Sequence, residues 1–293
     1  MKRKARRDLR NGLLFISPWL IGISIFLVYP IFLSVYYSFT RFPLLSPPSW
    51  IGWSNYLELF QDKVFWTVLY NTLFYFSLQV PLIFIVALSA ALLLNTKVRG
   101  MALFRTFFYL PSLVPIVATA ILWAWVFNAR YGLLNAALSI FGIKGITWLN
   151  DPAYVKPSLV LMSLWGMGEP MVIYLAALQG VPVNLYESSF LDGANWWQRI
   201  YHITIPLISP AIFFNVVRWV MGAFILFTQP YIMTGGGPGR ASEFYVTYLW
   251  ENAFDFLKMG YASAMAWILF IIIFAVTLVV FKFGAKKVYY EGA

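Results

Sequence analysis

The sequence predicts an all-α membrane protein with about six transmembrane helices. Hydrophobic residues make up 61% of the 293-residue chain and charged residues only 11%, well below the roughly 25% charged content of soluble domains. Aromatic residues reach 20%, which suits a protein with Trp and Tyr belts at both membrane interfaces. A helix needs about 20 apolar residues to cross a bilayer, and the runs that qualify are residues 13–39, 65–94, 103–128, 157–180, 205–233 and 261–283.

The N-terminal segment is basic and then apolar, which is also how a signal peptide begins. Six of the first ten residues are Lys or Arg. The apolar run 13–39 is much longer than the roughly 7–15 residues of a signal-peptide core, and no A-x-A-like cleavage site follows it. We therefore interpret residues 1–12 as a basic tail and residues 13–39 as an uncleaved first span.

The connectors between the spans predict the orientation of the chain. They are too short to hold a soluble domain, so residues 13–283 are predicted to form one transmembrane domain followed by the tail 284–293. Thirteen of the 21 Lys and Arg residues fall on one side, counting the two tails, the connectors on their side and the adjoining span ends at Arg105 and Lys282, and seven fall on the other side. Because positive charge is retained in the cytoplasm, both termini and the 186–203 connector are predicted to be cytoplasmic.

The segment Tyr186–Pro210 is a polar, amphipathic insert between two apolar spans. Glu187 is followed by Gly193 after five intervening residues, and Ile203 comes after nine more, shortly before Pro206. A glycine in the middle lowers helix propensity by about 1 kcal/mol relative to alanine, and it allows the chain to turn between two short helices. The composition alone favours a helix that rests on the lipid surface.

This spacing resembles the EAA loop of ABC importer permeases, in which E-A-A, three residues, G, nine residues and I-x-L-P follow one another. The chain departs from the pattern at Ser188 and Ser189, which replace two alanines, and at Ile205, which replaces a leucine. The resemblance implies that residues 184–206 form a cytoplasmic coupling helix that enters a groove on a separate ATPase subunit. The residues implied in coupling are Tyr186, Glu187, Ser188, Ser189, Asp192, Gly193, Ala194, Ile203 and Pro206.

Three further stretches resemble the sugar-transporting branch of these permeases, the binding-protein-dependent maltose-permease type. They are FISPWLIGISIFLVYPIFLSVYYSFT, LNTKVRGMALFRTFFYLPSLVPIVATAILWAWVF and the glycine-rich TGGGPGRAS at Thr234–Ser242. The resemblance implies a permease subunit in a bacterial or archaeal inner membrane that translocates a mono- or oligosaccharide by alternating access. It also implies a second permease subunit in a heterodimer, two ATPase subunits and an extracytoplasmic solute-binding protein.

The sequence carries no pattern for catalysis or for nucleotide binding. The Walker A pattern G-x-x-x-x-G-K-S/T is absent, so ATP and Mg²⁺ are expected on the partner ATPase subunits, and Gly235–Gly237 are expected to form a tight external turn. His202 is the single histidine and there is no cysteine, so no metal site is expected. No nucleophile–base pair or basic nucleic-acid-binding face is visible, and we expect neither catalytic residues nor a nucleic-acid partner.

Two charged residues lie well inside predicted spans, Glu169 in the fourth and Arg218 in the fifth, whereas Arg105 and Lys282 lie at span ends. A charge near the bilayer centre costs about 2.5–3.5 kcal/mol on insertion scales, so both should face the bundle interior or water. They form either part of a substrate path or an ion pair that locks two helices. The faces that the resemblance implies as path-lining contain Met162, Trp165, Gly166 and Glu169, and Arg218, Trp219, Gly222, Ala223 and Leu226.

Other interpretations remain open at this point. Permeases for glycerol-phosphate or acidic oligosaccharides resemble those for neutral sugars, so the charge of the substrate is not fixed. An ion-coupled secondary transporter is a further alternative, although such proteins usually show repeat-related broken helices. The polar residues Asn71, Gln79, Asn215 and Gln229 are interpreted as hydrogen-bonding contacts between helices.

Overall fold

Long apolar runs fold as helices because a bilayer offers no water to satisfy backbone N–H and C=O groups. The computed structural model describes residues 2–96 and 98–289. Met1 of the predicted N-terminal tail, Lys97 of the second connector and residues 290–293 of the predicted C-terminal tail lie outside the described residues. The chain divides into two compact units, Met1–Asp62 with Leu249–Ile268, and Lys63–Tyr248 with Leu269–Ala293.

The described residues are mostly helical, with one antiparallel pair of two-residue strands among them, β1 (Thr40–Arg41) and β2 (Ser49–Trp50). In chain order the helices are α1 (Lys2–Ile23), α2 (Tyr29–Ser38), α3 (Ser54–Gln61), α4 (Lys63–Leu94), α5 (Met101–Tyr109), α6 (Ile116–Val126), α7 (Leu133–Ile140), α8 (Pro152–Leu164), α9 (Gly168–Gln179), α10 (Val183–Leu191), α11 (Trp196–Arg199), α12 (Ile205–Leu207), α13 (Ser209–Phe224), α14 (Thr228–Thr234), α15 (Tyr245–Trp250) and α16 (Met259–Gly284). The π-helical stretches are Ser24–Val28, Ile200–Thr204 and Glu251–Asp255, and the 3₁₀ stretches are Leu110–Leu113 and Ala285–Lys287.

The first unit is organised around the end of α2 and the short hairpin. Asn55 of α3 is buried, and its Nδ2 donates to the carbonyls of Ser38 at 2.8 Å and Thr40 at 2.9 Å. The ring of Phe39 stacks on Trp50 with centroids 5.6 Å apart. These contacts satisfy the backbone groups where helix gives way to hairpin, as a buried chain reversal requires.

The second unit is built around α4, a 32-residue helix whose length of about 48 Å exceeds the thickness of a bilayer core. Ala87 and Ala91 of α4 are fully buried in one cluster with Met171 and Tyr174 of α9. Small residues at such a contact allow the two helix backbones to approach closely, which is how membrane helices gain packing energy.

The six predicted spans differ in continuity. Three continuous helices, Asp8–Ser38, Lys63–Leu94 and Met259–Lys287, are long and apolar enough to cross a membrane. The other runs are bent pairs, by 100° between Met101–Leu113 and Ile116–Val126, by 44° between α8 and α9, and by 71° between Trp196–Leu207 and α13. The runs predicted at 103–128, 157–180 and 205–233 are therefore interrupted rather than continuous, and the last of them breaks again where α13 ends at Phe224 and α14 starts at Thr228.

Prolines explain the sharpest of these bends. Val114 has a ψ of 129° and Pro115 a φ of −55° and a ψ of 140°, so the chain is extended at this point. A proline lacks the N–H that would continue the helix and disfavours helical geometry in the residue before it. Ahead of the bend, the end of α5 lies against the start of α9, where a Cβ added at Gly168 would meet the Phe108 carbonyl oxygen at 2.6 Å.

Candidate coupling surface and translocation cavity

The predicted coupling segment folds as two short helices joined by a glycine turn. Helix α10 ends at Leu191, and Gly193 follows with a φ of +76°. The Ala194 N–H donates to the Ser189 carbonyl and the Gly193 N–H to the Phe190 carbonyl, at 3.0 and 3.1 Å. This pair of bonds is a Schellman motif, which places a left-handed residue, usually glycine, directly after the helix.

The second helix of the segment starts from a capping box. The Asn195 side chain accepts from the Gln198 N–H at 2.9 Å, and the Gln198 side chain accepts from the Asn195 N–H at 2.8 Å. Such a reciprocal pair satisfies two backbone donors that the first turn of a helix leaves free. The sequence ANWWQ therefore begins a new helix immediately after the glycine turn, and the direction of the second helix is defined locally.

The segment is anchored through its inner side. The Tyr186 hydroxyl and the buried Thr204 hydroxyl are 2.9 Å apart and share a hydrogen bond. Tyr186 and Ile203 pack against the buried cluster between α4 and α9. Tyr186 is therefore half-buried, whereas Phe190, four residues later on the same helix, is exposed.

The outer side of the segment is exposed and partly apolar. Phe190 is 69% exposed, Leu191 87% and Trp197 68%, and Glu187 and Asp192 are exposed beside them. We call these five residues the docking face. A contiguous exposed apolar patch with a charged rim is typical of a protein interaction site. Of the other residues predicted to couple, Ser188 and Gly193 are exposed, whereas Ser189, Ala194 and Pro206 are half-buried.

The two intramembrane charges contact each other. The Arg218 Nη1 lies 2.7 Å from the Glu169 Oε1, and both side chains are about half exposed, at 42% and 50%. Arg218 also lies over the ring of Phe214, with 5.8 Å between the guanidinium carbon and the centroid. The ion-pair alternative from the sequence thus has the geometry to form, and the pairing lowers the cost of placing each charge in the bundle.

The other predicted path residues mostly gather at a cavity of about 200 Å³, which we call the polar cavity. Trp165 is not among its lining residues; its ring packs edge-to-face on Trp123 with centroids 6.0 Å apart. Five polar residues, from α4, α6, α8 and α14, share the cavity wall with the predicted path residues. The lining residues are Tyr75, Gln79, Thr119, Met162, Ser163, Gly166, Trp219, Gly222, Ala223, Leu226 and Gln229.

Gln79 is the most informative polar residue of this cavity. It is 1% exposed, and its Oε1 is buried without a hydrogen-bond partner among the described residues. A buried carbonyl left without a partner costs about 1–3 kcal/mol, so such an atom is expected to meet a donor in at least one functional state. A hydroxyl-bearing ligand or water in the cavity would supply that donor.

The glycine run after α14 forms the tight turn that the sequence predicts. Gly235, Gly236 and Gly239 all have positive φ, between 54° and 83°. The turn is tied to α4, because the Asn71 Nδ2 donates to the carbonyls of Arg240 and Glu243, both at 2.9 Å. The Asn71 Oδ1 also accepts from the Lys156 Nζ of α8 at 2.9 Å, which confirms the interpretation of Asn71 as a contact between helices.

Comparison with known proteins identifies the family. The sequence profile described as "Binding-protein-dependent transport system inner membrane component" matches residues 80–287. The chain belongs to this family. It is 41% identical over 295 residues to the probable ABC transporter permease protein YesP of Bacillus subtilis, covering 99% of this chain and 95% of the relative. It is 34% identical over 279 residues to the sulfoquinovosyl glycerol transport system permease protein SmoG of Agrobacterium fabrum, covering 94% and 91%.

A solved structure supports the fold of this inner-membrane component. The chain superposes with a TM-score of 0.84 and 25% identity on a chain of a bacterial ABC transporter involved in import of the acidic polysaccharide alginate, covering 97% of this chain and 99% of that one. The predicted all-α membrane fold, the resemblance to ABC sugar permeases and the inner-membrane location are confirmed. Family membership also sets aside the ion-coupled secondary transporter.

Some residues of the polar cavity and of the docking face were not predicted from the sequence. Gln79 and Gln229 were interpreted as contacts between helices, yet both line the polar cavity. Each is a polar residue in an apolar run, and that signal alone does not tell a helix contact from a cavity wall. Leu191 was not singled out either, because its exposure depends on the chain reversal at Gly193.

Proposed function

We propose that this chain is the transmembrane permease subunit of an ATP-driven importer that translocates a mono- or oligosaccharide delivered by an external binding protein. The observation that carries the proposal is the docking face. Phe190, Leu191 and Trp197 present exposed apolar side chains on two short helices whose directions are fixed by a Schellman turn and a capping box. An exposed surface with apolar and acidic side chains in fixed directions suits a protein partner whose movement is transmitted through the contact.

That partner is an ATPase subunit on the cytoplasmic side, which carries ATP and Mg²⁺. The chain has no Walker A pattern of its own, so the energy of transport must enter through a contact. The docking face supplies apolar area for affinity, while Glu187 and Asp192 supply charge complementarity and orientation. Tyr186 and Thr204 then connect the face to the helices behind it.

The polar cavity is the part of the chain that meets the saccharide. Gln79, Thr119, Ser163 and Gln229 offer uncharged donors and acceptors, and Trp219 offers a ring face. Uncharged hydrogen-bonding groups match sugar hydroxyls, and an aromatic face covers the apolar face of a pyranose. The names of the relatives SmoG and the alginate importer refer to saccharide substrates, in agreement with this chemistry.

Transport proceeds by alternating access with a second permease subunit that completes the path. The helix breaks at 165–167 and 225–227 border the polar cavity, and broken helices beside a cavity are where such transporters change shape. Docking of the binding protein and ATP binding favour the outward-open state, and hydrolysis returns the inward-open one. A ligand that bound both states equally would shift neither population.

The experiment that tests this function is reconstitution of the chain with its sister permease, its ATPase and its binding protein in proteoliposomes. We expect ATP hydrolysis to rise when the binding protein is added with one saccharide of a panel, and the same saccharide to accumulate in the lumen. If no ATPase copurifies with the chain, or if accumulation proceeds without ATP, the proposed function is wrong.

A sharper test concerns Gln79 and has a matched control in Asn215. Both are buried polar residues with an unpartnered side-chain oxygen, but Asn215 donates to Ala211 of its own helix and does not line the cavity. Loss of one neutral hydrogen bond corresponds to about a two- to tenfold change in affinity. We expect Gln79→Met to weaken the apparent saccharide affinity of uptake by about that factor, and Asn215→Leu to leave it unchanged. Equal effects of both variants would show that Gln79 does not contact the saccharide.

A further inference from the structure

A second cavity in the described part of the chain is separate from the polar cavity. It has a volume of about 610 Å³ and lies between the C-terminal half of α4 and the 196–205 part of the coupling segment. The proposed function assigns it no occupant, although Tyr186, Trp197 and Thr204, which form or support the docking face, also line it. Its lining residues are Phe84, Ile85, Leu88, Ser89, Leu92, Leu93, Asn95, Thr96, Leu178, Tyr186, Trp196, Trp197, Arg199, Ile200, Tyr201, Thr204 and Ile205.

The cavity is long and apolar along one wall. From Phe84 to Asn95 the chain rises by about 16 Å at 1.5 Å per residue, and Ile85, Leu88 and Leu92 line this stretch. That length matches half of the roughly 30 Å hydrocarbon core of a bilayer. Since Asn95 and Thr96 follow the apolar helix directly, the cavity extends from the polar end of a span into the depth of one leaflet.

The other end of the cavity is polar and carries a cation. Arg199 lines it, is half-buried, and its Nε is buried without a hydrogen-bond partner among the described residues. Its guanidinium carbon lies 5.8 Å from the ring centroid of Phe190, a cation–π contact that supplies no hydrogen-bond acceptor to the Nε. Trp196, Trp197 and Tyr201 complete this end, and Trp and Tyr are the residues enriched at membrane–water interfaces.

We propose that this cavity binds one phospholipid of the bilayer, with an acyl chain along α4 and its phosphate on Arg199. A guanidinium and a phosphate form charge-assisted, often bidentate hydrogen bonds, so a lipid phosphate matches the half-buried Arg199 that lines the polar end of the cavity. An acyl chain also explains the depth of the cavity, because a water-soluble ATPase reaches the surface of the membrane and not one leaflet down.

The bound lipid contacts the coupling segment as well as the span. Tyr186, Thr204 and Ile205 line the same cavity, and Tyr186 and Thr204 form the hydrogen bond that anchors the docking face. The phospholipid therefore fills the space behind the coupling segment and packs it against α4. Binding of the lipid is independent of which solute the chain carries, so failure of the lipid site leaves the proposed function intact.

The test is native mass spectrometry of the full chain, purified in mild detergent, stripped of lipid and titrated with a phosphatidylglycerol. Arg199→Gln removes the phosphate contact, and Ser89→Phe fills the apolar end from an exposed position on α4. The matched controls are Arg99→Gln, an exposed cation outside the cavity, and Ser77→Phe, an exposed serine on the same helix outside the cavity.

We expect one phospholipid per wild-type chain and binding at least about tenfold weaker in Arg199→Gln, the scale of a hydrogen bond to a charged group. Ser89→Phe should weaken binding similarly, and both controls should bind as wild type. The proposal is overturned if wild type binds no stoichiometric lipid or if controls and cavity variants lose it equally. It is also overturned if excess inorganic phosphate displaces the lipid while Ser89→Phe has no effect, or if a photoreactive group at position 89 crosslinks to a protein subunit instead of lipid.

Discussion

At the scale of single residues, the backbone angle at Gly193 determines the shape of the docking face. A Cβ added there would meet no atom within 4 Å, so space does not require glycine. The φ of +76° does, because left-handed geometry costs an ordinary residue about 1–2 kcal/mol. The sequence motif is thus explained by conformation, and the open space beside Gly193 is where a partner can approach.

The first prediction tests whether the backbone conformation at residue 193, and not the size of its side chain, is what coupling requires. Gly193→Asn retains a residue that tolerates left-handed geometry, whereas Gly193→Val introduces a β-branched residue that does not. We expect Gly193→Val to lose most ATP-dependent uptake and Gly193→Asn to keep most of it, with both inserted in the membrane at wild-type levels. The measurement is uptake in proteoliposomes beside quantification of membrane-inserted protein. Wild-type uptake by Gly193→Val would remove the turn from the coupling mechanism.

The second prediction concerns the Glu169–Arg218 pair. Breaking it by Glu169→Gln leaves Arg218 uncompensated among apolar residues, so uptake should fall and expression should drop. If the pair serves only to join two helices, the swapped variant with Glu169→Arg and Arg218→Glu should restore both. If either charge contacts the saccharide, the swap should restore expression but not substrate selectivity. Uptake of a saccharide panel by wild type and these two variants distinguishes these results.

At the scale of helices, breaks and close contacts determine how the apolar runs are arranged, whereas hydrophobicity only locates them. Six apolar runs were readable in the sequence, yet three of them bend, by 44° to 100°. The sharpest bend follows from Pro115. The start of α9 contacts the end of α5 closely at Gly168. The contact between α5 and α9 could not be read from the sequence, because both sides of it are backbone.

The third prediction tests that helix contact. In Gly168→Ala the new Cβ meets the Phe108 carbonyl oxygen at 2.6 Å and the Tyr109 Cα at 2.8 Å. Overpacking of this kind costs about 1–3 kcal/mol, and we expect a lower midpoint of thermal unfolding in detergent. The control is Gly222→Ala, also within a helix, where a Cβ meets nothing within 4 Å and helix propensity improves by about 1 kcal/mol. If Gly168→Ala unfolds no earlier than wild type, the close approach of α5 and α9 is incorrect.

At the scale of the whole molecule, the distribution of charge predicts which end faces the cytoplasm. Thirteen Lys and Arg residues on one side against seven on the other place the docking face with the two termini. Family membership makes the chain an inner-membrane component, and the orientation within that membrane stays a prediction.

The fourth prediction tests this orientation, using the absence of cysteine from the chain. Single cysteines at the exposed Ser188 and at the exposed Ser46 should react with a membrane-impermeant maleimide from opposite sides. We expect Ser46→Cys to be labelled in spheroplasts and Ser188→Cys only in inverted vesicles. Labelling of both from the same side would contradict the predicted topology and, with it, the cytoplasmic docking face.

The sequence by itself determined the helical membrane fold, the existence of six apolar runs and the position of the coupling segment. Each rests on composition or on a short-range pattern, such as hydropathy or Gly193 at a fixed distance from Glu187. Tertiary structure decided the rest, because contacts between distant residues leave no local signal. In the tertiary structure Glu169 pairs with Arg218, and Arg199 lines the second cavity. Gln79 lines the polar cavity, whereas Trp165 packs on Trp123 outside it.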